Sequence, residues 1–279
     1  MMRIAKNDLL CLLKKTKRDA VVGGKKIAQV NSTVIMPDVD GLVYTTAIVR
    51  DGVSSIARFN CPSETTDGES VFVANIDLLL GALSAHNGLI SLDSKDGKLL
   101  IQSPSKKTTL VSDPKAKAFP HTNKTVAEWS EDSNQRFGKS LSSITKNNAY
   151  MMQDGTEIEA KVATVPKKEL LDALRSGSVN KQMVEKVLLV NNPNQTMDVV
   201  VGNEMKGQTR SSITSNLAEE ISTTIGGGFE HILEHCAEEE CDLLFFDFTS
   251  YGAGIAVVLR TGAPNAPTSV VFQREASNG

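Results

Sequence analysis

No long apolar run occurs in this sequence of 279 residues. A helix that spans a membrane needs roughly 20 consecutive apolar residues, and no segment approaches that length. The first residues, Met1–Asp8, carry no apolar signal segment. With 40% hydrophobic and 23% charged residues, the composition is typical of soluble globular proteins. We therefore expect a cytoplasmic protein with no membrane partner.

Cysteine and aromatic residues are scarce. The four cysteines, Cys11, Cys61, Cys236 and Cys241, form no C-x-x-C pair and no framework of the secreted type, so we predict reduced, partly buried thiols. With a single Trp, the core must be built mostly from Leu, Val and Ile. The formal net charge of −3 argues against a protein coated in positive charge for tight nucleic-acid binding.

Motifs for cofactor binding and catalysis are also missing. The run Gly226–Gly228 lacks the Lys-Ser/Thr of a P-loop, and Gly252–Gly254 is typical of a hairpin turn and not of a dinucleotide fingerprint. No neighbouring residues suggest a Ser-His-Asp or Cys-His arrangement. We predict that the protein is not an enzyme, has no catalytic residues and needs no cofactor.

One motif does have a catalytic spacing. The segment His231–His235 matches the H-x-x-E-H pattern of inverted zinc peptidases, with both histidines on one face of a helix. The candidates for a third ligand are Asp242, Asp247 and Glu275, and none lies on a recognisable second helix. Two surface histidines on an acidic helix explain the motif better. We therefore predict no metal site, and a zinc hydrolase stays as a remote alternative.

A repeated pattern of elements organises the chain. Its clearest copy has a strand at Val71–Val73, a helix over Ile76–Ala85, and strands Leu89–Leu92 and Lys98–Ile101 joined by a turn at Asp96-Gly97. Such a unit cannot bury its own apolar face, so the copies must pack together.

Three further copies follow the same order of strand, helix and strands. The first opens with Arg3–Ala5 and a helix from Asn7 to Arg18, with Asn7 or Asp8 as its N-cap. The third and fourth copies open with strands and helices at residues 158–162, 166–175, 220–224 and 228–237. Two copies therefore precede, and two follow, the middle of the chain.

Residues 113–155 between these pairs are rich in Ser, Asn, Lys and Pro and have no sustained periodicity. A segment of this kind is uncommon inside a compact domain, so we predict a boundary here. The predicted organisation is a first domain at residues 1–113, a connector at 114–155 and a second domain at 156–279.

Positive charge is concentrated on the helices of the first and third copies, whereas the fourth helix is acidic. A single basic helix is usually only a solvated surface. Two basic helices in equivalent positions of a repeat favour one surface that meets a polyphosphate. Lysines without interleaved aromatic residues fit contacts to the backbone of a nucleic acid and not base recognition.

The second copy carries a family resemblance. It contains a helix core, Leu80-Gly81-Ala82-Leu83, a turn at Asp96-Gly97 and a closing Thr-rich strand, Lys107–Leu110. The segments Thr156–Ile158 and Lys168–Leu171 resemble the opening of a second domain of the same type. In these features the chain resembles the DNA sliding clamps, most closely those of large tailed bacteriophages.

This resemblance implies an α+β protein with the DNA-clamp fold. Each of two similar domains would contain two βαβββ-type repeats, with helices lining a ring and antiparallel sheets outside. The protein would be a homotrimer of six domains that encircles duplex DNA without sequence specificity and tethers the replicative DNA polymerase as a processivity factor. Other implied partners are an ATP-dependent clamp loader and, in the phage branch, the late-transcription machinery. The protein would then act in the host cell cytoplasm.

The resemblance also assigns residues to sites by position. The residues that would face DNA are Lys14, Lys15, Lys17, Arg18, Lys168, Arg175 and Lys181. Subunits would join through two edge strands, at Lys107, Thr108, Thr109, Leu110, Thr209, Arg210, Ser211 and Ser212. Phe119, Val126 and Trp129 in the connector would contact a partner peptide. A second alternative is a monomeric repeat protein that binds another protein through its sheet face.

Overall fold

Two units divide the chain, one formed by residues 1–48 with 57–138 and the other by residues 49–56 with 139–279. The computed structural model describes residues 1–17, 21–22, 25–26, 32–37, 42–47, 55–64, 69–112, 125, 128, 144, 147–176, 186–203, 207–226, 228–263 and 266–273. None of the described helices is long and apolar enough to cross a bilayer.

The first unit contains two four-stranded antiparallel groups, ordered β1-β8-β9-β10 and β6-β5-β4-β7. Its elements are β1 (Met2–Ala5), α1 (Lys6–Thr16), β2 (Val21–Val22), β3 (Lys25–Lys26), β4 (Thr33–Pro37), β5 (Leu42–Ala47), β6 (Ser55–Pro62, most of it in this unit), β7 (Val71–Val73), α2 (Ile76–Leu83), β8 (Leu89–Lys95), β9 (Lys98–Ser103) and β10 (Lys106–Val111).

The second unit repeats this arrangement, with groups ordered β13-β18-β19-β20 and β16-β15-β14-β17. Its elements are β11 (Ala149–Met151), β12 (Glu157–Glu159), β13 (Lys161–Pro166), α3 (Lys167–Ser176), β14 (Lys186–Asn192), β15 (Thr196–Asn203), β16 (Gly207–Thr214), β17 (Ile221–Gly226), α4 (Phe229–Leu233), β18 (Glu240–Asp247), a 3₁₀ turn (Thr249–Tyr251), β19 (Ile255–Ala263) and β20 (Ala266–Gln273).

Within each unit the two repeats exchange their first strands. Strand β1 pairs with β8 of the other repeat, with Ile4 opposite Ile90, and β7 pairs with β4, with Phe72 opposite Val34. In the second unit β13 pairs with β18, and β17 pairs with β14. The α+β class and the fourfold βαβββ repeat are therefore confirmed, and the exchange explains why no copy can stand alone.

The helices cover these sheets with apolar stripes of helical spacing. In α2 the buried residues are Ile76, Leu79 and Leu83, and the side chain of Asn75 accepts a hydrogen bond from Leu78 N at 3.0 Å as an N-cap. In the other unit α3 buries Leu170 and Leu174. Both spacings place the apolar side chains on one face of the helix.

The start of α1 differs from the prediction. The helix begins at Lys6 with Ala5 at the N-cap, and no side chain caps it, so neither Asn7 nor Asp8 has the predicted role. Instead, the main-chain N–H of Lys6 donates to the carbonyl of Gly88 at 3.0 Å. A tertiary hydrogen bond therefore satisfies a donor that sequence alone assigned to a local cap.

The predicted strand at residues 158–162 is also different, because it is split in two. Its first part belongs to β12, which forms a hairpin with β11, and its second part begins β13. Tyr150 of β11 packs against Phe248, with ring centroids 5.2 Å apart and an edge-to-face geometry. Aromatic packing thus orders the last part of the predicted connector.

No disulfide joins the four cysteines, and three of them, Cys61, Cys236 and Cys241, are buried. Burial raises the pKa of Cys61 to about 12, chiefly because the apolar surroundings disfavour a thiolate. This thiol therefore behaves as a small apolar side chain of the core.

Arg260 of β19 is a buried charge with several hydrogen-bond partners in the second unit. It is 2% exposed and donates to Asp242 Oδ2 at 2.7 and 3.1 Å. It also donates to Asn148 Oδ1 at 2.5 Å, and the hydroxyl of Thr164 donates to the other oxygen of Asp242 at 2.8 Å. One guanidinium therefore joins β19, β18 and the residue preceding β11.

Replacing Arg260 with alanine should lower the free energy of unfolding by about 3–5 kcal/mol, because Asp242 and Asn148 lose their shared donor. Urea unfolding followed by circular dichroism measures this change. As a control, Lys161→Ala removes the exposed ion pair of Lys161 with Glu219 and should cost at most about 1 kcal/mol. Equal effects of the two substitutions would contradict a structural role for the buried pair.

His86 anchors the last strand of the first unit. The imidazole is 1% exposed, with Nδ1 2.9 Å from Ser103 Oγ and Nε2 2.8 Å from Thr108 Oγ1. It therefore ties the end of α2 to both β9 and β10. Burial lowers its pKa below the ordinary value of 6.5, and the positive charges of Lys106 and Lys6 lower it further.

This lowered pKa predicts a loss of stability in acid. The unfolded chain takes up the proton first, so the contribution of neutral His86 is complete above pH 6.5 and is lost as the pH falls from 6.5 towards the folded pKa. The excess unfolding free energy of the wild type over a His86→Gln variant should therefore shrink between about pH 7.5 and pH 5. Carboxylates shared by both proteins cancel in this difference, and a difference that is constant with pH would contradict the prediction.

Candidate functional site

A lysine at the start of one helix is used in the same way in both units. Lys6 Nζ of α1 donates to the carbonyl of His86, beyond the end of α2, at 2.6 Å. Lys167 Nζ of α3 donates to the carbonyl of Cys236, beyond the end of α4, at 2.7 Å. An ammonium at a helix C-terminus is stabilised by the unpaired carbonyls and the helix dipole. These two lysines therefore hold the helices of each pair together.

The predicted DNA-contacting residues of α1 fall into different environments. Lys14 is exposed, whereas Lys15 is only 4% exposed and so does not present its ammonium to a ligand in this structure. Lys17 follows the helix with a side chain 29% exposed, and its Nζ lies 2.8 Å from Asp77 Oδ1 of α2. Arg18 lies outside the described residues.

The predicted DNA-contacting residues of α3 also lie in different environments. Lys168 is exposed, and Arg175 is half-exposed in an ion pair with Glu234, which caps the C-terminus of α4. Lys181 lies outside the described residues. In both units, therefore, an acidic side chain from the second helix of the pair neutralises a cation of the first.

The acidic residues around α4 have structural partners. Besides the ion pair of Glu234, Glu230 Oε2 accepts a hydrogen bond from Gly228 N at 2.9 Å at the start of the helix. Glu238 Oε1 accepts one from the hydroxyl of Thr268 at 2.7 Å. These three carboxylates therefore serve helix capping, helix pairing and attachment to β20.

The eight residues predicted at a subunit contact lie on β10 and β16. Each of these strands ends its four-stranded group within its unit. Most of the eight are exposed, and Arg210 donates to Asp198 Oδ2 of the neighbouring strand at 2.9 Å. Val111 lies on the same strand but is not among the eight predicted residues, and it is 83% exposed. A valine on the polar face of an alternating strand was the available signal.

His86 is a residue that the sequence did not predict, because an isolated histidine carries no local pattern.

The partner-peptide candidates Phe119, Val126 and Trp129 all lie outside the described residues, so that assignment stays a prediction.

The H-x-x-E-H motif does bring its side chains together. Ligand atoms of His231, Glu234 and His235 all lie within 4.8 Å of one another, and the described part of the chain holds no other group of this kind. An inverted zinc peptidase needs a third ligand in addition to the glutamate that acts as base. Glu234 cannot fill both roles, and the described cluster offers no further ligand. Glu275, one of the candidates for the third ligand, lies outside the described residues.

No family model matches the sequence, and no curated protein matches it either. Solved structures do match. The DNA polymerase III beta subunit of Thermotoga maritima superposes with a TM-score of 0.65 at 12% identity, over 100% of this chain and 65% of that chain.

Two further bacterial proteins match in the same way. The sliding clamp of Caulobacter crescentus has a TM-score of 0.63 at 15% identity, over 99% of this chain and 65% of its own. The clamp of Bacillus subtilis also has a TM-score of 0.63 at 15% identity, over 100% of this chain and 64% of its own. This chain thus spans about two thirds of the length of each, and over that length it has the fold of the bacterial DNA polymerase sliding clamps.

Proposed function

We propose that this protein is a DNA sliding clamp, a non-enzymatic ring that encircles duplex DNA and tethers a replicative DNA polymerase as a processivity factor. The observation that carries this proposal is the fourfold repeat with exchanged strands, which matches sliding clamps along the whole chain. A ring needs only weak contacts to phosphates, because topological linkage keeps it on the template while it moves.

The ring we propose is a homotrimer. Three chains, each with domains at 1–113 and 156–279 and a connector at 114–155, would supply six domains. The number of copies in this proposal rests on the family resemblance. A contact between two different surfaces of neighbouring subunits closes into a ring when the rotation between them fits a whole number of copies.

Strands β10 and β16 are the proposed subunit contact. Each ends a four-stranded group within its unit, so no described strand pairs with the outer side of either one. Pairing them between neighbours would continue the sheets and cover Val111, which is 83% exposed. The exposed Thr and Ser side chains of both strands are compatible with a contact that a clamp loader must open.

The proposed DNA surface is centred on Lys14 and Lys168, which lie exposed on the first helix of each unit. Lys17 and Arg175 contribute less, because acidic partners reduce their charge. Arg18 and Lys181 remain in the proposal, and Lys15 leaves it because it is buried. Weak contacts from a few exposed lysines suit a surface that must slide along DNA.

Several finer assignments rest on the family resemblance alone. They are the ATP-dependent loader, the docking of a partner peptide at Phe119, Val126 and Trp129, a bacteriophage origin with action in the host cytoplasm, and activation of late transcription. A monomeric protein-binding module is the alternative function, and an oligomer mass separates it from a ring.

Light scattering coupled to size exclusion should therefore give the mass of three chains for the purified protein. Thr109→Pro should shift that mass to a single chain. In the two-residue hairpin that joins β9 to β10, alternate residues bond to β9, and Thr109 is among those whose N–H points away from it. Proline at this position removes the main-chain N–H that points away from β9, and it keeps the hydrogen bonds between β9 and β10.

Thr109→Ala is the matched control, because it shortens the same side chain and keeps the N–H; it should remain trimeric. A monomeric wild type would overturn the ring. A trimeric Thr109→Pro protein would instead show that β10 is not the contact.

The double variant Lys14→Glu with Lys168→Glu should weaken binding of the protein to linear duplex DNA by at least about tenfold at low salt, since each lost phosphate contact removes the release of about one counterion. Processive synthesis by the cognate polymerase after loading should fall with it. Lys95→Glu with Lys98→Glu, at the exposed β8–β9 turn, makes the same charge change elsewhere. Equal effects of the two double variants would contradict the assigned DNA surface.

A further inference from the structure

The end of α4 brings together three side chains that commonly bind metal ions. His231 lies in the helix, Glu234 is its C-terminal cap and His235 is in the turn that follows. Their ligand atoms lie within 4.8 Å of one another, and the two imidazole centroids are 5.1 Å apart.

The backbone that carries these side chains is fixed on its inner side. Main-chain hydrogen bonds join Glu234 N to Glu230 O and His235 N to Ile232 O, both at 3.0 Å. Ile232 and Leu233 of the same turn are buried. Because this hydrogen-bonded turn continues the helix, residues four apart project to the same side, as a chelating histidine pair requires.

Two imidazoles and one carboxylate favour a borderline divalent cation such as Zn²⁺, whereas Mg²⁺ and Ca²⁺ prefer oxygen ligands alone. Around a tetrahedral zinc ion with bonds of 2.0–2.1 Å, the ligand atoms lie about 3.4 Å apart. Side-chain rotation can close the remaining gap, since Glu234 is exposed and the histidines are only half-buried. Exposure also leaves a fourth position for water.

We propose that His231, Glu234 and His235 bind one Zn²⁺ ion, and that the ion takes the Glu234 carboxylate away from Arg175. Glu234 is at present the ion-pair partner of Arg175 across the α3–α4 helix pair. Zinc binding would therefore release the guanidinium and add the charge of the ion, making this helix face more positive. The site is structural or regulatory and not hydrolytic, because its glutamate is used as a ligand.

Isothermal titration of the full-length, metal-free protein with Zn²⁺ tests the site directly, and the visible spectrum of the Co²⁺ form reports ligand geometry. We expect one ion per chain. His231→Gln and His235→Gln should each weaken binding by at least about tenfold. His121→Gln, which removes a histidine outside the segment His231–His235, should leave binding unchanged. Binding that is absent, or unaffected by either cluster substitution, would overturn the proposal.

Substitution of exposed residues tests whether the zinc ion and Arg175 compete for Glu234. Such variants keep the fold, even if a histidine variant does not. Glu234→Gln should weaken zinc binding, because an amide is a poor ligand. Arg175→Gln should tighten it, because the competing cation is gone. Lys168→Gln, on the same helix, is the matched control. The gain in zinc affinity from Arg175→Gln must be larger than the gain from Lys168→Gln. Should Arg175→Gln bind zinc no more tightly than Lys168→Gln, the ion does not compete with Arg175.

Discussion

The exchange of first strands between repeats is the constraint on which the rest of the structure depends. Strand β1 pairs with β8 of the other repeat, and β13 pairs with β18 in the same way. Neither repeat of a unit therefore forms a complete four-stranded group by itself. The helix that follows each exchanged strand is thereby placed against its counterpart in the other repeat, and Lys6 and Lys167 hydrogen-bond to the carbonyls beyond the partner helices. The exchange of first strands therefore sets the pairing of the helices, and it leaves β10 and β16 at the ends of their four-stranded groups.

Charge on the helices is arranged by the same pairing. Each helix pair places an acidic residue of its second helix against a cation of its first, Asp77 against Lys17 and Glu234 against Arg175. Among the described residues of the two first helices, Lys14 and Lys168 remain exposed, and they are the centre of the DNA surface that we propose. Glu234 also lies beside His231 and His235, and binding of the zinc ion that we propose there would change the charge of this helix pair.

Much of the fold was predictable because its signals are local. The apolar spacing of Ile76, Leu79 and Leu83, with Asn75 as N-cap, specifies α2 within one segment, and the Asp96-Gly97 turn specifies the hairpin after it. The predictions that failed involve partners distant in sequence. The start of α1 depends on a hydrogen bond to Gly88, and the break in the strand at residues 158–162 depends on a hairpin with β11.

For the candidate site, sequence by itself determined which residue types are available: the basic first and third helices, the Thr-rich strands β10 and β16 and the spacing of His231 and His235. Tertiary structure alone decided which of them can act. It buries Lys15, neutralises Arg175 with Glu234 and fixes β10 through His86, 22 residues before Thr108. Exposure and pairing of a charged side chain depend on the neighbour across the packing interface, and local sequence does not contain that neighbour.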